Sequence, residues 1–156
     1  MMLNIRRAEI CEADILTNIA IRSEAYWDYD SVFMESFKSI YKVTGEFISN
    51  NPTFLMEEDK SIVGFYSILK GDKETELEYF YIEPQSIGKG YGKLLWNHMV
   101  DYCRKQHINE IALVTSPQAI GFYTKMGAVL AGEVDSLVIK ERKIPRLVYT
   151  LKSNMA

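Results

Sequence analysis

Between Gln85 and Gly92 the chain reads Gln85-Ser86-Ile87-Gly88-Lys89-Gly90-Tyr91-Gly92, with glycines at three alternate positions just before a strongly patterned helix. Glycines so spaced let the backbone turn tightly and approach a ligand without interference from a Cβ. The first N–H groups of a helix have no partner within it and point outward, and the helix dipole adds favourable potential for an anion. The chemistry on offer is therefore recognition of an anionic group such as a diphosphate. Two familiar phosphate loops are excluded by spacing. A Walker A loop needs four residues between its first glycine and Gly-Lys, followed by Ser or Thr, whereas here three residues separate Gly88 from Gly92-Lys93 and Leu94 comes next. The dinucleotide fingerprint needs its third glycine where Lys93 stands.

The loop must be positioned by the strand before it and the helix after it. Thr75 to Ile82 alternates as a strand, and Pro84, which cannot donate to a ladder, stops it. Tyr91 to about Lys105 carries an apolar stripe of Leu94, Leu95, Met99 and Tyr102, widened by Trp96, Val100 and Cys103. Upstream, Leu3 to Ala8 reads as a strand and Glu12 to about Tyr26 as a helix. A second helix follows Asp30-Ser31, with Phe33, Phe37, Ile40 and Tyr41 at helical spacing. Tyr26-Trp27-Asp28-Tyr29 connects the two. Thr53 to Glu57 and Ser61 to Lys70 flank a tight turn and, with Thr75 to Ile82, form an antiparallel meander, because turns this short cannot make parallel crossovers. Glu110 to Thr115 is a strand, Pro117 opens a short helix that Gly127 ends, and Val129 to Val138 and Leu147 to Lys152 close the chain. The order βααβββαβαββ predicts an α/β (α+β) fold with a mixed, mostly antiparallel sheet of about seven strands flanked by about four helices, in a single domain over 1–156.

Composition narrows the function classes. Apolar residues make up 47% and charged residues 25% of the 156 residues, as in an ordinary globular protein. A net charge of −3 without a basic block gives no nucleic-acid footprint. Cys11 and Cys103 lie far apart without metal-ligand spacing, so no metal is implied and a reducing compartment fits. Met1 to Arg7 lacks the apolar core of a signal peptide and no apolar run is long enough to span a bilayer, so a cytoplasmic protein is expected.

Two segments together resemble the GNAT superfamily of N-acetyltransferases. Its coenzyme A loop reads Gln/Arg-x-x-Gly-x-Gly/Ala, which Gln85-x-x-Gly88-x-Gly90 matches position by position. Ala119-Ile120-Gly121-Phe122-Tyr123-Thr124-Lys125-Met126-Gly127-Ala128 is similar to the family's Ala-x-x-Phe-Tyr-x-x-x-Gly-Phe segment. The strand Glu78-Tyr79-Phe80-Tyr81-Ile82-Glu83-Pro84 looks like the family's fourth strand. The likeness is strongest from about Ile62 to Val129, and the element order extends it over nearly the whole chain.

The resemblance implies acetyl-coenzyme A as donor, with coenzyme A as product. The pantetheine arm would enter a cleft between splayed fourth and fifth strands, bonded by the backbone at Phe80, Tyr81 and Ile82. Gln85 and the amides of Ile87, Gly88, Lys89, Gly90, Tyr91, Gly92 and Lys93 would hold the pyrophosphate, with Phe122 nearby. Ser116 stands where the family often has Asn; its hydroxyl still bonds, at shorter reach. The acceptor would be a primary amine of a small molecule or a protein, lined by Tyr26, Trp27 and Tyr29. A homodimer is common in such folds.

Amine acetylation calls for a base, an oxyanion donor and an acid. Tyr123 matches the family tyrosine near the sulfur and is the candidate acid; the alternative, packing, is already served by Phe122. Glu78 is the candidate base, acting through water, with a solvated strand glutamate as the alternative reading and Glu76 as the weaker candidate; on a regular strand Glu78 shares a face with Phe80 and Ile82, and a bulge would redirect it. The Phe80 N–H is the candidate oxyanion donor. The competing class is a coenzyme A-binding sensor without turnover, against which the presence of both Tyr123 and Glu78 argues.

Overall fold

The structure, a computed structural model, describes residues 2–27, 29–139 and 141–151. Asp28 of the aromatic connection and Lys152, the expected end of the last strand, lie outside the described residues. The elements run β1 (Leu3–Arg7), α1 (Ala13–Ala25), α2 (Ser31–Ile40), α3 (Gly45–Asn50), β2 (Thr53–Glu58), β3 (Ser61–Lys70), β4 (Thr75–Ile82), α4 (Tyr91–Lys105), β5 (Glu110–Val114), α5 (Ile120–Lys125), β6 (Val129–Asp135) and β7 (Lys143–Thr150). One seven-stranded sheet takes the order β1-β2-β3-β4-β5-β7-β6. Every pairing is antiparallel except β4 with β5, the pair that α4 connects.

The sheet is covered on both faces, which is why β3, an interior strand between β2 and β4, is an unbroken buried run from Val63 to Ile68. One face packs Leu95, Trp96 and Met99 of α4 and Tyr123 of α5 against Tyr66, Ile68 and Ile111. The other packs Leu16, Ile19 and Ala20 of α1 with Phe37, Val43 and Ile48 against Phe65 and Tyr79. At roughly 25 cal/mol per Å² of apolar surface, burial of a large side chain such as Leu16 or Trp96 stabilises by about 1.5–3 kcal/mol.

Three local differences from the sequence reading have physical reasons. A fifth helix, α3, is one and a half turns long, too short to show a hydrophobic period; the Thr44 hydroxyl caps it by accepting from the Phe47 N–H at 3.0 Å. β6 ends at Asp135 because the Ser136 hydroxyl accepts from the N–H groups of Val138 and Ile139 and turns the chain. β7 begins at Lys143 and tolerates Pro145 because that residue pairs with Glu133 at the register break in β6, while its carbonyl accepts from the Thr115 N–H at 3.2 Å. On α4, Leu94 faces outward at 46% exposure and Tyr91 takes the inward place at its N-terminal end.

Candidate active site

The site begins with an irregularity in β4. Tyr79 pairs with Ser67 and Leu77 with Ile68, so Glu78 is an extra residue with no opposite number on β3. A bulge of this kind reverses the alternation of side chains. Leu77 and Tyr79, two residues apart, accordingly enter opposite cores, whereas Leu77, Phe80 and Ile82 pack on the α4 side. Glu78 thus stands outside the regular alternation of β4, and its charge acts on Tyr41 and on Tyr79, which belong to the α1–α2 core.

The parallel pairing of β4 with β5 is recorded at one position, Glu76 with Ala112, and beyond it the two strands diverge. The Glu83 N–H donates to the Val63 carbonyl at 2.7 Å, which fixes which β4 residues address β3. By alternation Tyr81 also bonds toward β3, and the N–H groups of Phe80 and Ile82 face the opened side. The Ser23 hydroxyl donates to the Ile82 carbonyl at 2.8 Å, and the Arg22 guanidinium holds the Glu83 carboxylate through bonds of 2.5 and 2.8 Å. The last turn of α1 is thus bolted to the end of β4 just where the glycine loop starts.

In that loop Gly88 and Gly90 have φ of +91° and +82°, values an L side chain rarely adopts, and Gly90 is the N-cap of α4. An added Cβ at either would meet nothing within 4 Å, so these two glycines are there for backbone conformation and leave the space above them open. Gly92 differs: a Cβ there would lie 3.0 Å from Cε1 of Phe122, so its bareness lets α5 pack on α4.

A cavity of about 650 Å³ runs between the splayed strands from this loop to the far side of the sheet. Its walls include Glu78, Phe80, Tyr81, Ile82, Ile87, Gly88, Gly90, Tyr91, Gly92, Lys93, Ser116, Phe122, Tyr123, Trp27 and Tyr29. Gln85, Lys89 and Tyr26 are not among its walls. Gln85 is exposed in a 3-10 turn, the Lys89 ammonium lies 5.9 Å from the Tyr91 ring centre, and Tyr26 packs edge-on against Trp27. Tyr91 is buried and its hydroxyl donates to Glu58.

Tyr123 sits at the floor, 7% exposed, between Phe80, Trp96 and Phe122. No hydrogen bond to its hydroxyl is present among the described residues. Burial, with a smaller contribution from the Glu24 charge, raises its pKa above the ordinary phenol value, so it holds its proton throughout the neutral range. Burial also raises the Glu78 carboxyl, and the Glu76 charge adds to the effect.

Sequence reasoning missed part of the cavity. Glu24, near the end of α1, lines it, as do Phe33, Phe37 and Tyr41 along α2 and Arg142 from the β6–β7 connection. Glu24 Oε1 accepts from the Tyr81 hydroxyl at 3.3 Å, and burial raises the Glu24 pKa against the opposing pull of Tyr81 and Arg142. The Tyr29 hydroxyl donates to Gln118 Oε1 at 3.0 Å, joining the α1–α2 connection to the turn before α5. Among the described residues, no group of three or more His, Cys, Asp or Glu gathers as a metal site. No helix among them is long and apolar enough to cross a membrane.

A cleft between diverging strands, closed at one end by a glycine loop and a helix N-terminus, matches what is known of related chains. The sequence model described as the Acetyltransferase (GNAT) family matches residues 18–128. The peptidyl-lysine N-acetyltransferase YjaB of Salmonella typhimurium is 30% identical over 142 residues, covering 88% of this chain and 92% of that protein. The PaiA N-acetyltransferase of Thermoplasma acidophilum, solved in complex with coenzyme A, superposes with a TM-score of 0.80 at 22% identity, covering 96% of this chain and 99% of that one. YncA of Salmonella typhimurium, solved with its cofactor acetyl-coenzyme A, gives 0.69 at 18% identity, covering 100% and 98%. This chain belongs to the GNAT acetyltransferase family and is an acetyl-coenzyme A-dependent N-acetyltransferase.

Proposed function

We propose that the protein transfers the acetyl group of acetyl-coenzyme A directly to a primary amine bound beside it in the same cleft. The observation that carries this reading is one continuous cavity that joins the glycine loop to a chamber holding Glu78 and Tyr123. The cavity fits the cofactor on its own features: an opened strand edge at Phe80 and Ile82, uncrowded space above Gly88 and Gly90, and a helix start at Tyr91. In this reading the strand edge and Ser116 hold the pantetheine arm, and the N–H groups from Ile87 to Lys93 hold the pyrophosphate. When bound, acetyl-coenzyme A supplies an acetyl group activated as a thioester.

The protein's own groups then divide the work. An alkylamine has a pKa near 10.4, so roughly one molecule in 2,500 is neutral at pH 7 and able to attack. Glu78, whose raised pKa makes it a stronger base than a surface carboxylate, takes the proton from the ammonium, directly or through water. The Phe80 N–H would donate to the thioester carbonyl oxygen, and Tyr123 would supply the proton that the thiol product carries. Of the two protons the ammonium loses, one replaces that of Tyr123 and one is released.

A relative that acts on peptidyl-lysine favours a lysine-like acceptor here. The two free cysteines favour the cytoplasm. That both cores pack on one sheet supports reading the chain as one domain. The test is mass spectrometry of a lysine-containing peptide incubated with the protein and acetyl-coenzyme A. One acetyl group on the lysine Nζ supports the reading; an unmodified lysine and α-amine, with every other amine in a broad panel also unmodified, overturns it.

A further inference from the structure

Opposite the glycine loop, the cavity ends in a chamber of a particular composition. One wall is a row of four rings at positions 29, 33, 37 and 41, with centre-to-centre steps of 4.0 Å from Tyr29 to Phe33, 6.3 Å to Phe37 and 5.0 Å to Tyr41. The row lies along α2 from just before its Asp30 cap to its C-cap, because a four-residue step returns each ring to the same helix face.

Glu24 enters the chamber from α1. Its neighbours Arg22 and Ser23 are committed to Glu83 and the Ile82 carbonyl, which fixes the turn that carries Glu24. The groups facing Glu24 come from four other elements. Tyr81 of β4 donates to its Oε1, and Arg142 of the β6–β7 connection acts on it from the rim. The Glu24 charge in turn reaches Tyr41 at the end of α2 and Tyr123 on α5. Glu78 lines the same cavity as Glu24 and Tyr41, and the charges of both carboxylates act on Tyr41. No hydrogen bond to Oε2 of Glu24 is present among the described residues, so that atom is available to a ligand.

We propose that Glu24 binds the acceptor's ammonium group and that the ring row of Phe33, Phe37 and Tyr41 carries its stem, which makes the substrate class a primary alkylammonium with several methylenes. The proposal rests on the acetyltransfer reading above and separates binding from chemistry. Glu24 holds the charged amine, and Glu78 removes its proton. A carboxylate suits the charged form of the amine and gives nothing to a neutral one, while aromatic faces add to the attraction for a cation and pack alkyl chains.

The test is calorimetric titration of n-pentylamine into the coenzyme A-loaded protein, in parallel with steady-state turnover of n-pentylamine and of aniline at neutral pH, where aniline is uncharged. Loss of a charge-assisted bond corresponds to about a 10- to 100-fold weakening of pentylamine binding in Glu24→Gln, with the turnover defect falling on KM more than on kcat. Aniline turnover falls far less. Shortening the wild-type ligand from pentylamine to ethylamine weakens binding about fourfold per methylene lost. Coenzyme A affinity, measured on the same samples, verifies that the variant is folded, and Glu24→Asp serves if the glutamine variant does not fold. An unchanged pentylamine affinity in the folded variant overturns the proposal, as does an equal loss for both amines. If the wild type binds pentylamine through Glu24 but acetylates no amine, the acetyltransfer reading falls and the binding assignment stands.

Discussion

Replacing Glu78 by glutamine keeps the shape of the bulge residue and removes its ability to accept a proton. In the wild-type protein the rate falls as pH drops through the Glu78 pKa, because a protonated carboxyl cannot act as base. Burial and the Glu76 charge raise that pKa, so the acid limb lies above the ordinary carboxylate range. Without the base, only amine that is already neutral reacts. General-base assistance is worth about 10²–10⁴ and is capped here by the roughly 2,500-fold limit set by the neutral fraction at pH 7, so kcat for an alkylamine should drop about 100- to 1,000-fold there. The variant's rate should then climb about tenfold per pH unit as the amine itself deprotonates, closing the gap toward pH ~10. The assay is initial-rate release of coenzyme A thiol from about pH 6 to about pH 9. Stability gives an independent sign. A carboxyl with a raised folded-state pKa binds its proton more tightly when folded, so its charged form disfavours the native state at neutral pH and that penalty is relieved as pH falls through the raised value. Glu78→Gln should therefore raise the melting temperature at neutral pH while it impairs the enzyme. A wild-type-to-variant rate ratio that stays constant across the pH range would refute Glu78 as proton acceptor.

Further expectations follow from the parts that hold the site. Gly90→Ala forces an L residue into φ +82° without any clash, so it should cost about 1–2 kcal/mol of stability and weaken coenzyme A binding, read by chemical denaturation and calorimetry. Arg22→Gln leaves the Glu83 carboxylate, 8% exposed, without its cation. Because the Arg22 side chain is 53% exposed, the loss should fall below the 3–5 kcal/mol of a fully buried pair, at about 1–2 kcal/mol, and coenzyme A affinity should fall with it. Arg6 bridges Glu12 and Glu57 at 2.7 and 3.0 Å and lowers both carboxyls. That stabilisation is present above the ordinary carboxylate range and lost as pH falls through the lowered values, so Arg6→Met should move acid unfolding to higher pH, followed by circular dichroism.

The sequence was most legible where a period or a backbone requirement is local. β3, β4 and α4 have the expected boundaries because alternation, Pro84 and the apolar stripe each act within a few residues. The glycine loop was legible for the same reason, although Gly92 serves packing against Phe122 rather than approach to an anion. The bulge at Glu78 was not, because it is a property of the pairing between β3 and β4 and leaves no mark on β4 alone. Glu24 reads as one more charged residue near a helix end, and its burial comes from Tyr81, Tyr41 and Arg142, which are distant in sequence. Phe33, Phe37 and Tyr41 were visible as an apolar helical face, yet only the assembled sheet shows that this face lines a cavity as well as a core. The contact of His98 Nδ1 with the Tyr66 hydroxyl, at 2.8 Å, joins α4 to β3 and is likewise absent from the pattern of either element alone.

The central claim is acetyl transfer to an amine with Tyr123 protonating the departing sulfur. It is tested most directly by thiol release from acetyl-coenzyme A against a panel of primary amines, with wild type and Tyr123→Phe side by side. The hydroxyl has no hydrogen-bond partner among the described residues, so its removal should leave the fold and coenzyme A affinity intact. Amine-dependent release in the wild type, reduced about 100-fold or more in the variant, is the expected result. Wild-type protein that binds coenzyme A while no amine stimulates release would contradict it.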